Sequence, residues 1–254
     1  MEQVLSTLST YLALALILAG LGLILVFYLV PNLPKITLRS IQAFSHFRRQ
    51  VDLAVEAGKR LHISLGRGTV NDLQGGASLI GLTILDQCAR AASNSDRPSV
   101  VTSGDSVVTV LSQDTLQSTY CSLAIEQRYD PSNARLSGLT PMAYAAGAMP
   151  AIHDEQTSVN ILAGHFGTEV ALLTEAGERS HSLTVGGTDS ISAQSVLYAT
   201  ADEPLLGEEL YAAGAYLGED AVHKASLQAQ DILRWVLIGA IILGAILKLL
   251  GILA

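Results

Sequence analysis

Cysteine, aromatic residues and charge are all scarce in this chain. Its two cysteines, Cys88 and Cys121, have neither a CxxC partner nor metal-ligand spacing, which argues against a disulfide framework, a zinc knuckle and a thioredoxin-type redox motif. Each lies in an apolar, helix-like segment, so both read as buried free thiols. Aromatic residues make up 5% of the chain, and 23 acidic residues outnumber 15 basic ones. Nucleic-acid binding is therefore disfavoured, because it needs clustered positive charge and stacking surfaces. There is no P-loop, and Ser190 lacks the GxSxG elbow of a serine hydrolase.

Long apolar runs, by contrast, are present at both ends. About 20 apolar residues run from Tyr11 to Val30, and a second run extends from Ile232 to Ala254, the lengths expected of membrane-spanning helices. The residues before the first run carry one acidic side chain, Glu2, and no basic region, which favours a retained anchor over a cleaved signal peptide. Directly after it come Lys35, Arg39, Arg48, Arg49, Lys59 and Arg60 against only Asp52 and Glu56. Lys224, Arg234 and Trp235 precede the second run. By the positive-inside rule, the intervening domain is cytoplasmic and both termini are extracytoplasmic. Lys248 follows Trp235 after roughly 20 Å of helix, which lets it snorkel to the outer interface. A functional intramembrane lysine is the alternative. Ala15 and Ala19, and Ala240 and Gly244, put small residues at helix-packing intervals.

The predicted organisation is a tail over 1–10, a transmembrane helix over 11–30, and a basic juxtamembrane connector over 31–60. An α/β domain follows over 61–218, then a long helix over 219–254 that becomes the second span at about 232–252. Pro31 and Pro34 break the first helix. Ile41, Phe44, Phe47, Val51 and Val55 then follow at near-helical spacing, an amphipathic helix whose basic residues either hold lipid headgroups or are simply solvated.

Within the domain, β-prone runs repeatedly end in glycine plus a small polar residue. They are Leu61–Leu65, Ser99–Thr102, Ser158–Ala163 and Ser182–Val185. Helical stretches between them predict an α/β fold, a mainly parallel, Rossmann-like sheet inserted between N- and C-terminal transmembrane helices. Residues 76–94 are apolar nearly all round, so this helix needs a second cover beyond the sheet, which another subunit could supply. Asp105 is placed to cap the helix from Ser106, and Thr140–Pro141 starts a short one. The small-residue run Ala143–Ala148 predicts a close neighbour.

In a parallel sheet the strand C-terminal ends share one edge, where ligands meet glycine backbone and helix N-termini. The candidate ligand-binding residues are Gly66, Arg67, Gly68 and Asn71 after the first strand, Gly104 and Asp105 after the second, and Gly164, Gly187 and Asp189 further on. The first loop is not a dinucleotide fingerprint, since Asn71 stands where the third glycine belongs. His165 and Glu169 are four apart and could share a helix face, and His153, Asp154 and Glu155 are clustered. Neither group offers the three or four ligands a metal site needs. No catalytic residue, metal or cofactor is assigned.

The segment Leu65–Gly76, with the sequence LGRGTVNDLQGG, and the later Thr102–Asp105 resemble an uncharacterised family of bacterial membrane proteins, a domain of unknown function with two terminal transmembrane helices. The resemblance implies a bacterial membrane location and carries no activity or site residues. Two functions follow as expectations. The first is a membrane-anchored scaffold whose domain self-associates into a homo-oligomer, with the lipid bilayer and other membrane proteins as candidate partners. The second is a membrane-tethered binding domain or enzyme for a nucleotide or other anionic small molecule at the glycine-rich strand ends.

Overall fold

The computed structural model describes residues 2–29, 39–72, 75–95, 97–218 and 221–250. The proline-containing connector at 31–38, the loop residues Leu73 and Gln74, Glu219 and the last four residues lie outside them. The chain divides into two units, 40–218 and the two terminal segments.

In the terminal unit, α1 (Glu2–Leu29) packs along α9 (Ala221–Leu249), where Gly20 faces Leu233. Among the described residues one helix, α9, is long and apolar enough to cross a membrane; Ala13–Leu29 is a shorter apolar stretch. Among the described residues, Gly244 has no heavy atom within 4 Å of the position its Cβ would take.

The other unit is built on six parallel strands: β1 (Arg60–Gly66), β2 (Val100–Ser103), β3 (Ala134–Leu136), β4 (Thr157–His165), β5 (Leu183–Gly187) and β6 (Glu203–Leu205). Their order is β3-β2-β1-β4-β5-β6, that of a doubly wound α/β sheet. Being central and covered on both faces, β1 is buried from Leu61 onward. Leu61, Ile63 and Leu65 join one apolar layer, formed with α2 (Gln42–Glu56), α3 (Gly75–Ala91), α4 (Ser106–Ser122) and α8 (Glu209–Leu217). The opposite layer is formed by α5 (Pro141–His153), α6 (Val170–Arg179) and α7 (Ile191–Thr200).

Several packing questions raised by the sequence are answered inside the chain. The apolar stripe of α2 buries Phe44, Phe47 and Val51 in the domain core, and Phe44 stacks on Tyr216 at 5.0 Å. Arg48 donates to the Tyr216 and Leu217 carbonyls at 3.0 and 2.7 Å, closing the C-terminal end of α8. Arg60 and Arg135 both pair with Glu155, so that acidic residue belongs to an ion-pair cluster. The second cover of α3 is α2, α4 and α8 of its own chain. The small-residue run lies on α5, where Gly147 sits against the Ser137 backbone. That helix starts at Thr140–Pro141 as expected but continues past Pro150 to His153. Of the two thiols, Cys88 is buried and its pKa is pushed up to about 12 by burial; Cys121 is exposed, contrary to expectation, because α4 turns that face to solvent.

A buried polar ladder crosses the middle of the sheet. Asn160 can only accept through Oδ1, so His62 Nδ1–H donates to it at 2.7 Å, and the Thr102 hydroxyl donates to Nε2 at 2.9 Å. Asn160 Nδ2 continues to the Leu173 carbonyl at 3.2 Å. Burial lowers the His62 pKa from its ordinary 6.5 to about 4. Between those values the unfolded chain binds more proton than the folded one, so stability falls as pH drops through the window. We expect the loss of stability between pH 7.5 and pH 5 to be about 2 kcal/mol smaller in His62→Leu than in wild type, although the variant is weaker at neutral pH. Thermal melts in mild detergent would check this; parallel losses in the two proteins would rule His62 out as the responsible group.

Candidate functional site

The strand order reverses between β1 and β4. This is where doubly wound sheets form a ligand crevice. Three strand ends are tied there: Arg67 N–H donates to the His165 carbonyl and Gly104 N–H to the Gly66 carbonyl, each at 2.8 Å. Gly66 has φ +70°, a left-handed conformation that lets the chain turn against the His165 backbone.

All the glycine candidates stand at this edge, and several serve close packing of chain on chain. A side chain at Gly164 would strike the Leu65 carbonyl, and one at Gly104 would strike the Arg67 stem. At Gly187 a Cβ would meet Leu205 and Leu210 at 3.1 Å. The first loop folds down upon α3: Ser78 Oγ donates to the Leu65 and Gly68 carbonyls at 3.1 and 3.3 Å, and Gly75 N–H donates to the Asp72 carbonyl at 2.9 Å. Asn71 is exposed on that loop. Asp105 is the N-cap of α4, accepting from the Val107 and Val108 amides at 2.9 and 3.0 Å. Its strand is three strand intervals from that of Asp189, roughly 14 Å, so a small ligand cannot touch both.

The charged groups pair differently from their sequence spacing. His165 is the last residue of β4 and Glu169 precedes α6, so they share no helix face. Instead Arg67 Nε donates to Glu169 Oε1 at 2.9 Å, and His165 Nδ1–H donates to Asp189 Oδ1 at 2.7 Å. Glu169 is only 4% exposed. Burial alone would raise its carboxyl, but the Gly167 and Glu169 amides and the Arg67 guanidinium outweigh that and hold it below the ordinary carboxylate value. In both pairs nitrogens are left over: the two Nη groups of Arg67 and Nε2 of His165 have no hydrogen-bond partner among the described residues.

Two tyrosines complete the edge. Tyr144, fully buried, hydrogen-bonds the Ser64 hydroxyl and accepts from Gly66 N–H at 3.2 Å, which supports the end of β1 from below. Burial raises its pKa. Tyr211, on α8, stands over Gly76 in the first turn of α3; burial and then the Asp189 charge raise its hydroxyl pKa. Nothing in local sequence pattern singles out Tyr211, because its role arises from α8 folding back across the sheet. The other clustered candidates separate: His153 meets Ser180 at 3.1 Å, whereas Glu155 turns to its two arginines. No group of three or more potential metal ligands occurs among the described residues.

The chain belongs to the DUF6754 family, a domain of unknown function, whose pattern matches residues 2–254. No curated protein and no solved structure matches it.

The Arg67–Glu169 pair gives a direct test of the site's architecture. Arg67→Ala leaves a buried carboxylate without its cation and should cost about 3 kcal/mol, whereas Arg67→Ala combined with Glu169→Gln should recover a substantial part of that loss. Melting of the two single variants and the double variant would measure the coupling; strictly additive losses would show that the pair does not act as a unit.

Proposed function

We propose that this DUF6754 protein is a membrane-tethered domain that binds a nucleotide or other anionic small molecule in the crevice between β1 and β4. One observation carries the proposal. Arg67 and His165 stand at the ends of adjacent strands, each oriented by a carboxylate and each with nitrogens that have no partner among the described residues, and Tyr211, which the Asp189 charge reaches, stands over Gly76 in the first turn of α3. The helix N-terminus adds its amides and the positive end of its dipole. An oriented guanidinium binds phosphate or carboxylate oxygens through its Nη groups. The His165 imidazole, oriented by Asp189, turns its second ring nitrogen, Nε2, to the polar groups of the same ligand. The Tyr211 hydroxyl and Asp189 oxygens suit ligand hydroxyl groups, which a nucleotide supplies together with its phosphates. No reaction is assigned. Self-association into a homo-oligomeric scaffold is the second reading: the cover of α3 comes from this chain, but Ala143, Ala146 and Gly147 leave a small-residue face of α5 exposed.

For location, the proposal is a two-pass protein of the bacterial inner membrane, with the domain cytoplasmic and both termini outside. The apolar α9, the shorter apolar stretch of α1 and the excess of basic residues between 35 and 60 support it. Exposed Cys121 offers a test of this orientation, because buried Cys88 stays unreactive in the folded domain. A membrane-impermeant maleimide should label Cys121 only after permeabilisation; labelling in intact cells would overturn the orientation.

Binding is tested by melting the full chain, reconstituted in nanodiscs, against ATP, GTP, NAD and inorganic phosphate. A true ligand at a hundredfold excess over its Kd should stabilise wild type by about 2.7 kcal/mol. His165→Gln should melt like wild type without ligand and lose most of the ligand-induced rise. Absence of a saturable rise with every one of these compounds counts decisively against the crevice as a nucleotide or phosphate site.

A further inference from the structure

At the opposite edge of the sheet, where the strands begin, a second cleft of about 350 Å³ is lined by Ala92, Ser93, Ser95, Pro98, Tyr120 and Arg128. It lies among the 3-10 turn Ala92–Asn94 that ends α3, the approach to β2 and the last turn of α4. Its volume is at the small end of the range for organic ligands. We propose that this cleft is a second binding site, for a small soluble organic anion that presents a carboxylate or phosphate to Arg128 and Tyr120.

Arg128 is anchored before any ligand arrives. Its Nη1 donates to the Ser93 carbonyl at 2.8 Å and the Ser95 carbonyl at 3.0 Å, both beyond the C-terminal end of α3. The guanidinium thereby offsets the partial negative charge that a helix end would otherwise turn toward the cleft. Its Nε and Nη2 have no partner among the described residues, and these are the nitrogens that can grip an oxyanion.

Tyr120 supplies the second, independent observation. It lines the cleft and is 3% exposed overall, and its hydroxyl makes no hydrogen bond among the described residues but remains open to water. A hydroxyl without a protein partner is free to donate to a ligand oxygen. Burial raises its pKa, keeping the hydroxyl a proton donor, and Arg128 is the charge that acts on it in the opposite sense. The donor and the cation therefore face one space. Ala92, Pro98 and the Tyr120 ring give that space apolar walls, which suit the carbon part of an organic anion better than a bare inorganic ion.

The test uses the full chain in phosphatidylcholine nanodiscs and two probes, phenyl phosphate and benzoate, in calorimetric titrations. Wild type should bind at least one of them saturably. Arg128→Gln should weaken that binding by about tenfold or more, as expected for loss of a charge-assisted contact. Tyr120→Phe keeps the ring and removes a hydroxyl that has no protein partner, so its fold should be unchanged while affinity falls several-fold. Arg179→Gln, which changes an exposed arginine paired with Glu175 and in neither site, should bind both probes as wild type does. The proposal is overturned if neither probe binds saturably, if binding ignores both Tyr120→Phe and Arg128→Gln, or if Arg179→Gln also abolishes it. Occupancy seen only when phosphatidic acid is added to the discs would assign the cleft to a lipid headgroup and likewise overturn it.

Discussion

The pairing of β1 with β4 is the constraint on which the rest of the domain depends. Crossovers between parallel strands are right-handed, so α3 and α4 must lie on one face while the chain adds β2 and β3 to one side of β1. To cover the other face it has to return across the sheet through α5 and resume beside β1. That reversal puts the topological switch point between β1 and β4, where doubly wound sheets take up ligands. It also makes register exacting: a slip of one residue would exchange Leu61, Ile63 and Leu65 with His62 and Ser64. The imidazole would then face the apolar layer of α2 and α3 with neither of its partners. The ladder through Thr102, His62 and Asn160 thus rewards one register of three central strands, and it does so at positions that are fully buried.

One arrangement recurs at three side chains. Arg67 is steered by Glu169, His165 by Asp189 and Arg128 by two backbone carbonyls. In each case one nitrogen is committed to the protein and others are left free. A flexible cation fixed in this way loses less freedom when it takes up an anion, since part of its rotamer entropy has already been given up on folding. Two edges of one sheet therefore carry pre-oriented donors, and the tightly packed glycines between them keep the scaffold rigid.

How much of this was legible in the sequence depended on whether the signal was local. The four central strands, the Asp105 cap and the Thr140–Pro141 start each follow from adjacent residues, and each is found in place. The edge strands β3 and β6 are three residues long and carry no alternation, so no periodic pattern marks them. The glycine runs did point to strand ends, but glycine allows close approach of any backbone, and at Gly104, Gly164 and Gly187 the approaching atoms belong to the chain itself. The apolar circumference of α3 was equally ambiguous: it required a second cover without saying whose.

By itself, then, the sequence determined a parallel α/β domain flanked by apolar terminal segments, and it marked the edge at which glycine-rich loops would gather. Periodicity, capping and hydrophobic length are properties of neighbouring residues, and they survive in any fold the chain could adopt. Only the tertiary structure decided which charges meet. Arg67 reaches Glu169 across 102 positions of sequence, and His165 reaches Asp189 across 24, because parallel strands bring distant loops to one edge. Tyr120 and Arg128 are eight residues apart in the chain, yet the cleft they share also needs the end of α3. Pairings of this kind depend on strand order, and strand order is set by how the whole core is covered.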